Sequence, residues 1–263
     1  MEQFRENGFY VCDGLLRNEL PELLNLAQEL TAVTEDTTEQ KIDYVVPKPG
    51  FDFDENTHKL RKVQGVCCLD QNVRDRLFKH PKIVEQVVKL LPKGSSLDQL
   101  DFFGTKFFPK FPGGGESVDW HQDSYFFGSG NSANIISAAI YLEDTDKENG
   151  CLRVVPTSHR SGVEYPMEPA RGKWQGHNWI DLDKLLDNNK EYRDQDVKVQ
   201  AGTVVFFDAR IVHGAYPNKS LNRSRKSFFG HYCPGDLSFS WRGTDFSRGK
   251  YEDRHSVSVL GKI

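Results

Sequence analysis

From about residue 98 onward the chain is cut into short apolar or aromatic runs separated by Gly, Pro and Asn. Examples are Leu100–Phe108, Ser137–Leu142, Leu152–Val155, Thr203–Phe207 and Lys226–Tyr232. Their β-branched and aromatic content suits pleated strands. Several such strands at close spacing predict a β-sandwich or a barrel.

Ahead of that region the pattern is helical. Phe4–Leu15 reads as an opening helix and a short strand. Leucines at 20, 23, 24, 26 and 30 give a helical period over Asn18–Leu30. Apolar positions 77, 83, 84, 87, 88 and 91 do the same over Val73–Leu91, with Pro81 suited to the first turn of a helix starting there. Residues 32–60 between them are polar and charged and read as a long surface loop. A length of 263 residues fits one all-β unit. The expectation is therefore a single domain over 1–263, mainly β with N-terminal helices. Its helix-rich part runs to about residue 97 and packs on a β core from about 98, which carries a polar insert at 164–195.

Charge and cysteine usage exclude several classes. A formal net charge of −4 argues against nucleic-acid binding, because phosphate backbones demand clustered positive charge. No apolar run approaches the ~20 residues a membrane helix needs. The N-terminal segment has no apolar signal-peptide core, and Leu260-Gly261-Lys262-Ile263 is neither a peroxisomal nor a retention signal. Five cysteines, at 12, 67, 68, 151 and 233, fit neither a zinc knuckle nor a secreted disulfide framework and read as reduced thiols. The glycines of Pro112-Gly113-Gly114-Gly115 are not followed by Lys-Ser/Thr, so they form a loop rather than a phosphate cradle. A cytoplasmic protein is expected, acting on a small molecule as a monomer or weak homo-oligomer.

The segment Trp120-His121-Gln122-Asp123 carries the chemistry. In a strand, residues two apart share a face, so His121 and Asp123 can reach one metal together. His213, in Arg210-Ile211-Val212-His213-Gly214 at the end of a predicted strand, supplies a third ligand. Two histidines and one carboxylate leave open positions and form the facial set of non-haem Fe(II) oxygenases. A bare His-x-Asp is a weak signal; its surroundings add the specificity.

Those surroundings fall in order along almost the whole chain. They comprise Phe4-Arg5-Glu6-Asn7-Gly8-Phe9-Tyr10-Val11, Trp120-His121-Gln122-Asp123-Ser124, Leu142-Glu143-Asp144, Glu148-Asn149-Gly150-Cys151-Leu152 and Val155-Pro156-Thr157-Ser158-His159. Gly202-Thr203-Val204-Val205-Phe206-Phe207, Val212-His213-Gly214, Asn218 and Arg225 complete the set. Together they resemble the phytanoyl-CoA dioxygenase family of 2-oxoglutarate oxygenases. The resemblance implies a double-stranded β-helix, a jelly roll related to the cupins. It implies that 2-oxoglutarate chelates Fe(II), that O2 takes the last position, and that succinate and CO2 leave as the substrate is hydroxylated or otherwise oxidised. It also implies an arginine for the far carboxylate of the keto acid, since the guanidinium fork meets a carboxylate through two hydrogen bonds.

Arg223 and Arg225 lie ten and twelve residues past His213. The family's Arg-x-Arg register selects Arg225, and strand alternation puts Arg225, Ser227 and Phe229 on one face. Lys62 and Lys106 resemble basic positions that face the cosubstrate in relatives. Two departures, Ala139 where relatives often have Trp and Ala215 where they often have Ser, alter the shape of the keto-acid pocket. Asp123 argues against halogenation, which needs a small residue there. Two rivals share the ligand spacing: a differently metallated cupin-like hydrolase or isomerase, and a non-catalytic cupin-like binding protein. Arg225 discriminates against the first. The insert at 164–195 is expected to fold over the iron side as a lid or binding loop, with Arg171, Trp174 and Trp179 touching substrate and a short helix near Asp181–Leu186.

Overall fold

A computed structural model describes residues 2–31, 42–44, 60–92, 95, 99–127, 132–169, 178–237 and 253–259. Two helices form early. In α1 (Glu2–Asn7) Phe4 is the buried anchor. In α2 (Leu20–Thr31) Leu23, Leu26, Ala27 and Leu30 are buried, a spacing that stacks them on one stripe. The helical stretch expected over 73–91 divides into a π-helical turn, Val73–Phe78, and a regular helix. A short helix, α3 (Val66–Leu69), precedes them, and the regular helix is α4 (Pro81–Leu90). The break comes from Pro81, whose ring starts a helix well but cannot continue one. His80 caps it, its Nδ1 accepting from the Lys82 amide at 3.3 Å.

Two antiparallel sheets face each other. The larger has the order β1 (Phe9–Cys12), β11 (Val204–Asp208), β6 (Ile136–Tyr141), β13 (Ser227–Pro234), β4 (Gln99–Phe108), β3 (Leu60–Gln64) and β2 (Ile42–Tyr44). A further strand, β14 (Arg254–Ser258), also pairs with β4. The smaller has the order β10 (Gln195–Val197), β7 (Leu152–Val155), β12 (Val212–Ala215) and β5 (Val118–His121). This is a double-stranded β-helix. β2 lies in the stretch expected to be loop; pairing with β3 extends the sheet there, and most of the remaining loop lies outside the described residues.

The central strands β6 and β11 of the larger sheet are buried on both faces, and alternation assigns each face. Ala138, Ile140, Val204, Phe206 and Phe228 meet Leu23, Leu26, Ile83 and Val87 of the helices. Ala139, Tyr141, Val205 and Phe207 point the other way, toward Leu152 and Val154 of the smaller sheet. The helices therefore roof one sheet and leave the space between the sheets for chemistry.

β4 breaks the alternation once. Phe102 and Phe107 have opposite parity, yet both join the helix-side core. The cause is a bulge: Lys106 pairs with Phe229 and Phe103 with His231, so Gly104 and Thr105 together oppose Gly230. Gly104 takes φ 59°, a left-handed conformation that glycine adopts without Cβ strain. The freed Thr105 amide donates to Asp253 Oδ2 at 2.5 Å. Opposite the bulge, a Cβ on Gly230 would stand 2.4 Å from the Phe78 ring, so only glycine lets β13 approach.

Candidate metal centre

His121 and His213 are direct partners across β5 and β12, which sets their rings side by side with centroids 4.2 Å apart. Asp123 arrives differently from the expectation. β5 ends at His121, and a turn into the short helix α5 (Ser124–Phe127) carries Asp123 back toward the histidines. Gln122, between them, points away: its Nε2 donates to Arg210 O at 2.6 Å and its Oε1 accepts from the Tyr165 amide at 2.8 Å. Gln122 thereby ties the turn to the segment that leads into His213.

The ring protons are assigned by their partners. His121 Nδ1 lies 2.7 Å from Asp119 O, and His213 Nδ1 lies 3.1 Å from Ile211 O. A carbonyl oxygen only accepts, so each Nδ1 carries the proton and each Nε2 presents a lone pair. Those Nε2 atoms stand 3.5 Å and 3.8 Å from Asp123 Oδ1. The three donor atoms lie within 4.8 Å of one another. Burial and the neighbouring His121 push His213 down to about 4, so its imidazole is neutral. Burial opposes the charge on Asp123, but the surrounding histidines hold its carboxyl well below the usual range. Two lone pairs and an anionic oxygen converge with no proton between them, an arrangement that a cation relieves. The donor set fits Fe(II) of the two-histidine, one-carboxylate type.

These residues floor a cavity of about 250 Å³ between the sheets. Across it stand Arg225, Ser227, Lys106, Lys62, Tyr141 and Phe229. Arg225 is only 5% exposed. Its Nη1 donates to Ser227 Oγ, its Nε has no hydrogen-bond partner among the described residues, and its guanidinium lies 5.8 Å from the Tyr141 ring centroid. No carboxylate pairs with it among the described residues; the nearby Glu143 is engaged by Lys226 and Ser224. A buried cation without an anion is costly, and a dicarboxylate cosubstrate completes it. Arg223 has the opposite surroundings: it lies outside the cavity, paired with Asp146 at 2.9 Å and Glu148 at 2.7 Å. Lys106 Nζ stands 5.0 Å from the Phe229 centroid, and burial lowers it to about 8.

Two residues beside Asp123 escaped the sequence reading, of which His231 lines the cavity. Ser137 and His231 are both buried and lie beside Asp123. Alternation held the signal: one further step along Arg225, Ser227 and Phe229 reaches His231. The insert departs from expectation. Arg171 and Trp174 lie outside the described residues. Trp179 does not line the cavity. The described part of the insert, with α6 (Leu182–Asn188), packs Ile180 and Leu185 on Val155 and Val212, the outer face of the smaller sheet. Apolar burial at Ile180, Leu182, Leu185 and Leu186 holds it there rather than over the metal ligands. A second cluster, Cys67, Asp253 and His255, also gathers within 4.8 Å. There Asp253 serves the bulge, accepting from Thr105 N and Oγ1.

The family model for phytanoyl-CoA dioxygenase (PhyH) matches residues 4–227. A phytanoyl-CoA dioxygenase domain-containing protein 1 homolog of Dictyostelium discoideum is 34% identical over 47% of this chain, a match that spans 42% of that protein. A probable phytanoyl-CoA dioxygenase of Caenorhabditis elegans is 27% identical over 88% of this chain and 75% of its own length. Among solved structures, the epimerase SnoN in complex with Fe3+, alpha ketoglutarate and nogalamycin RO superposes with a TM-score of 0.69 at 22% identity. It covers 95% of this chain and 88% of that one, a likeness of fold. With the match covering most of its length, the chain belongs to the phytanoyl-CoA dioxygenase family, a family of iron- and 2-oxoglutarate-dependent oxygenases.

Proposed function

We propose that His121, Asp123 and His213 hold Fe(II), that Arg225 with Ser227 clamps the far carboxylate of 2-oxoglutarate, and that the protein hydroxylates or otherwise oxidises a small organic molecule. The bound iron, with 2-oxoglutarate and O2, supplies the oxidising chemistry and releases succinate and CO2. The chain's own residues do the placing. The backbone carbonyls of Asp119 and Ile211 hold both imidazoles in the tautomer that offers Nε2. Lys106 and Lys62 line the same chamber and add positive charge for an anionic cosubstrate. Phe229 and Tyr141 supply apolar walls that limit water.

The observation that carries this reading is Arg225: a buried guanidinium without a carboxylate among the described residues, facing the converged donor atoms across one chamber. Retention of this clamp together with all three donor residues disfavours a non-catalytic binding protein. The whole chain serves as one catalytic domain, supported by a core that joins α2 and α4 to the strands of the larger sheet. A cytoplasmic location is supported by five free thiols. No helix among the described residues is long and apolar enough to cross a membrane. A monomer or weak homo-oligomer is supported by the scatter of exposed large apolar side chains: Leu24, Val163 and Leu221 among the described residues. The test is succinate release from 2-oxoglutarate by the Fe(II)-loaded protein, with and without candidate substrates. Absence of release under all conditions, with Fe(II) bound, refutes the oxygenase reading.

A further inference from the structure

Ser137 and His231 are cross-strand partners on β6 and β13, so their side chains share the chamber face. Ser137 Oγ lies 2.7 Å from Asp123 Oδ2 and 2.9 Å from His231 Nδ1. A hydroxyl has one proton and an ionised carboxylate has none, so Ser137 donates to Asp123. His231 Nδ1 must then carry a proton and donate to Ser137. The three groups form a one-way chain from imidazole to hydroxyl to carboxylate.

We propose that Ser137 and His231 are positioning residues that hold Asp123 as a one-oxygen metal ligand. This rests on the assignment of Asp123 as a ligand. With Oδ2 engaged by Ser137, Oδ1 alone faces the Nε2 atoms of His121 and His213. The distinction matters for the reaction. A six-coordinate metal held by these three residues through one donor atom each would keep three positions for the keto acid and O2. If both Asp123 oxygens bound, the position for O2 would be lost. Second ligand shells of this kind orient the first.

The surroundings of His231 support a role beyond packing. It is 1% exposed, and its Nε2 has no hydrogen-bond partner among the described residues. Its ring is boxed by Phe127, Phe229 and Phe103, with centroids at 4.7, 5.0 and 5.3 Å. A leucine or phenylalanine would suit that box better, since a bare ring nitrogen there loses its water and gains nothing. What His231 contributes is the Nδ1 proton, which orients the Ser137 hydroxyl.

The test uses three variants and Co(II) as a spectroscopic stand-in for iron. Ser137→Ala removes the bridge, His231→Leu removes the donor, and His231→Asn keeps an N–H near the Nδ1 position. Apoprotein melting temperature, Co(II) affinity and the Co(II) absorption spectrum are read for each. Expected are a loss of Co(II) affinity of about 10- to 100-fold in Ser137→Ala and His231→Leu, an altered spectrum, and an apoprotein that melts no lower than wild type. His231→Asn should return affinity to within a few fold of wild type. Unchanged affinity and spectrum in Ser137→Ala overturn the proposal while leaving the metal site standing. Affinity lost only alongside a lowered apoprotein melting temperature, with no rescue by Asn, also overturns it. Full affinity in His231→Leu with loss in Ser137→Ala removes His231 from the assignment. No Co(II) binding by the wild-type protein overturns the metal site itself.

Discussion

Replacing Arg225 by alanine tests the chamber at its most informative point. The guanidinium is buried, has no carboxylate partner among the described residues, and spends Nη1 on Ser227. The cosubstrate's far carboxylate would meet it largely stripped of water. Removing one member of a buried, hydrogen-bonded charge pair costs about 2–5 kcal/mol. At about 1.4 kcal/mol per decade that is a rise in KM for 2-oxoglutarate of roughly 30- to several-thousand-fold. The effect should fall on KM more than on kcat at saturation, since the clamp binds a part of the cosubstrate remote from the reacting bond. Apoprotein stability should hold or rise, because a buried, incompletely partnered cation has been removed. Arg223→Ala is the control. Its ion pairs with Asp146 and Glu148 are at the surface, where such pairs contribute about 1 kcal/mol or less, so KM should move less than fivefold. The assay is succinate formation across a 2-oxoglutarate titration at fixed Fe(II), with melting curves of each apoprotein. Equal and small effects of the two substitutions would refute the clamp assignment.

His121→Ala, Asp123→Ala and His213→Ala should each abolish Fe(II) binding, measured by equilibrium dialysis, with circular dichroism unchanged; a variant that keeps full binding is not missing a ligand. Lys106 predicts a pH-dependent contribution: burial lowers it from 10.5 to about 8, so between these values the unfolded chain holds the extra proton and the lysine's own contribution to apoprotein stability rises with pH. Buried thiols and tyrosines held above their usual values act in the opposite sense, so the contribution is read as a difference: from pH 8 to pH 10 the urea midpoint of wild type should gain on that of Lys106→Met, and a constant difference refutes it. Gly230→Ala should destabilise by about 1–3 kcal/mol through overpacking, because the new Cβ meets the Phe78 ring, itself stacked on Phe102. A urea midpoint equal to wild type would mean that β13 or Phe78 yields freely.

Much of this was legible in the sequence wherever one local rule governs a residue. His121 is tied to Asp123 by a two-residue spacing and His213 joins them as a strand residue; the register of β5 and β12 then sets the two histidines side by side. Arg225 shares parity with Arg223 and is separable from it by the family's register and its greater distance from the turn; its burial follows from facing inward. Asp123 was selected for a reason the structure replaces: a turn delivers it, and a turn is set by Gln122 reaching Arg210 and Tyr165, contacts between residues far apart in sequence. The bulge at Gly104 was hidden for the same reason, since it depends on what Asp253 offers the Thr105 amide. The insert was judged by its polar residues, whereas Ile180, Leu182, Leu185 and Leu186, spaced for one helical face, govern where its described part packs. Neither Ser137 nor His231 carries a motif: His231 lies one alternation step beyond Phe229, whereas Ser137 becomes visible only once β6 and β13 are paired.

The division of labour between the two sheets has a mechanical consequence. His121 and His213 stand on the smaller sheet, while Ser227 opens β13 of the larger and Arg225 lies two residues before it. A ligand chelated at one side and gripped at the other is a cross-brace between layers. On this reading the gap is the weakest seam of the empty protein. Amide exchange should be fastest along β5 and β12 in the apoprotein and slow most when metal and keto acid are both present. A hundredfold excess of a ligand over its dissociation constant adds about 2.7 kcal/mol to the folded state, comparable with a well-buried leucine. The supply of a common metabolic acid then governs how long the protein survives as well as how fast it turns over.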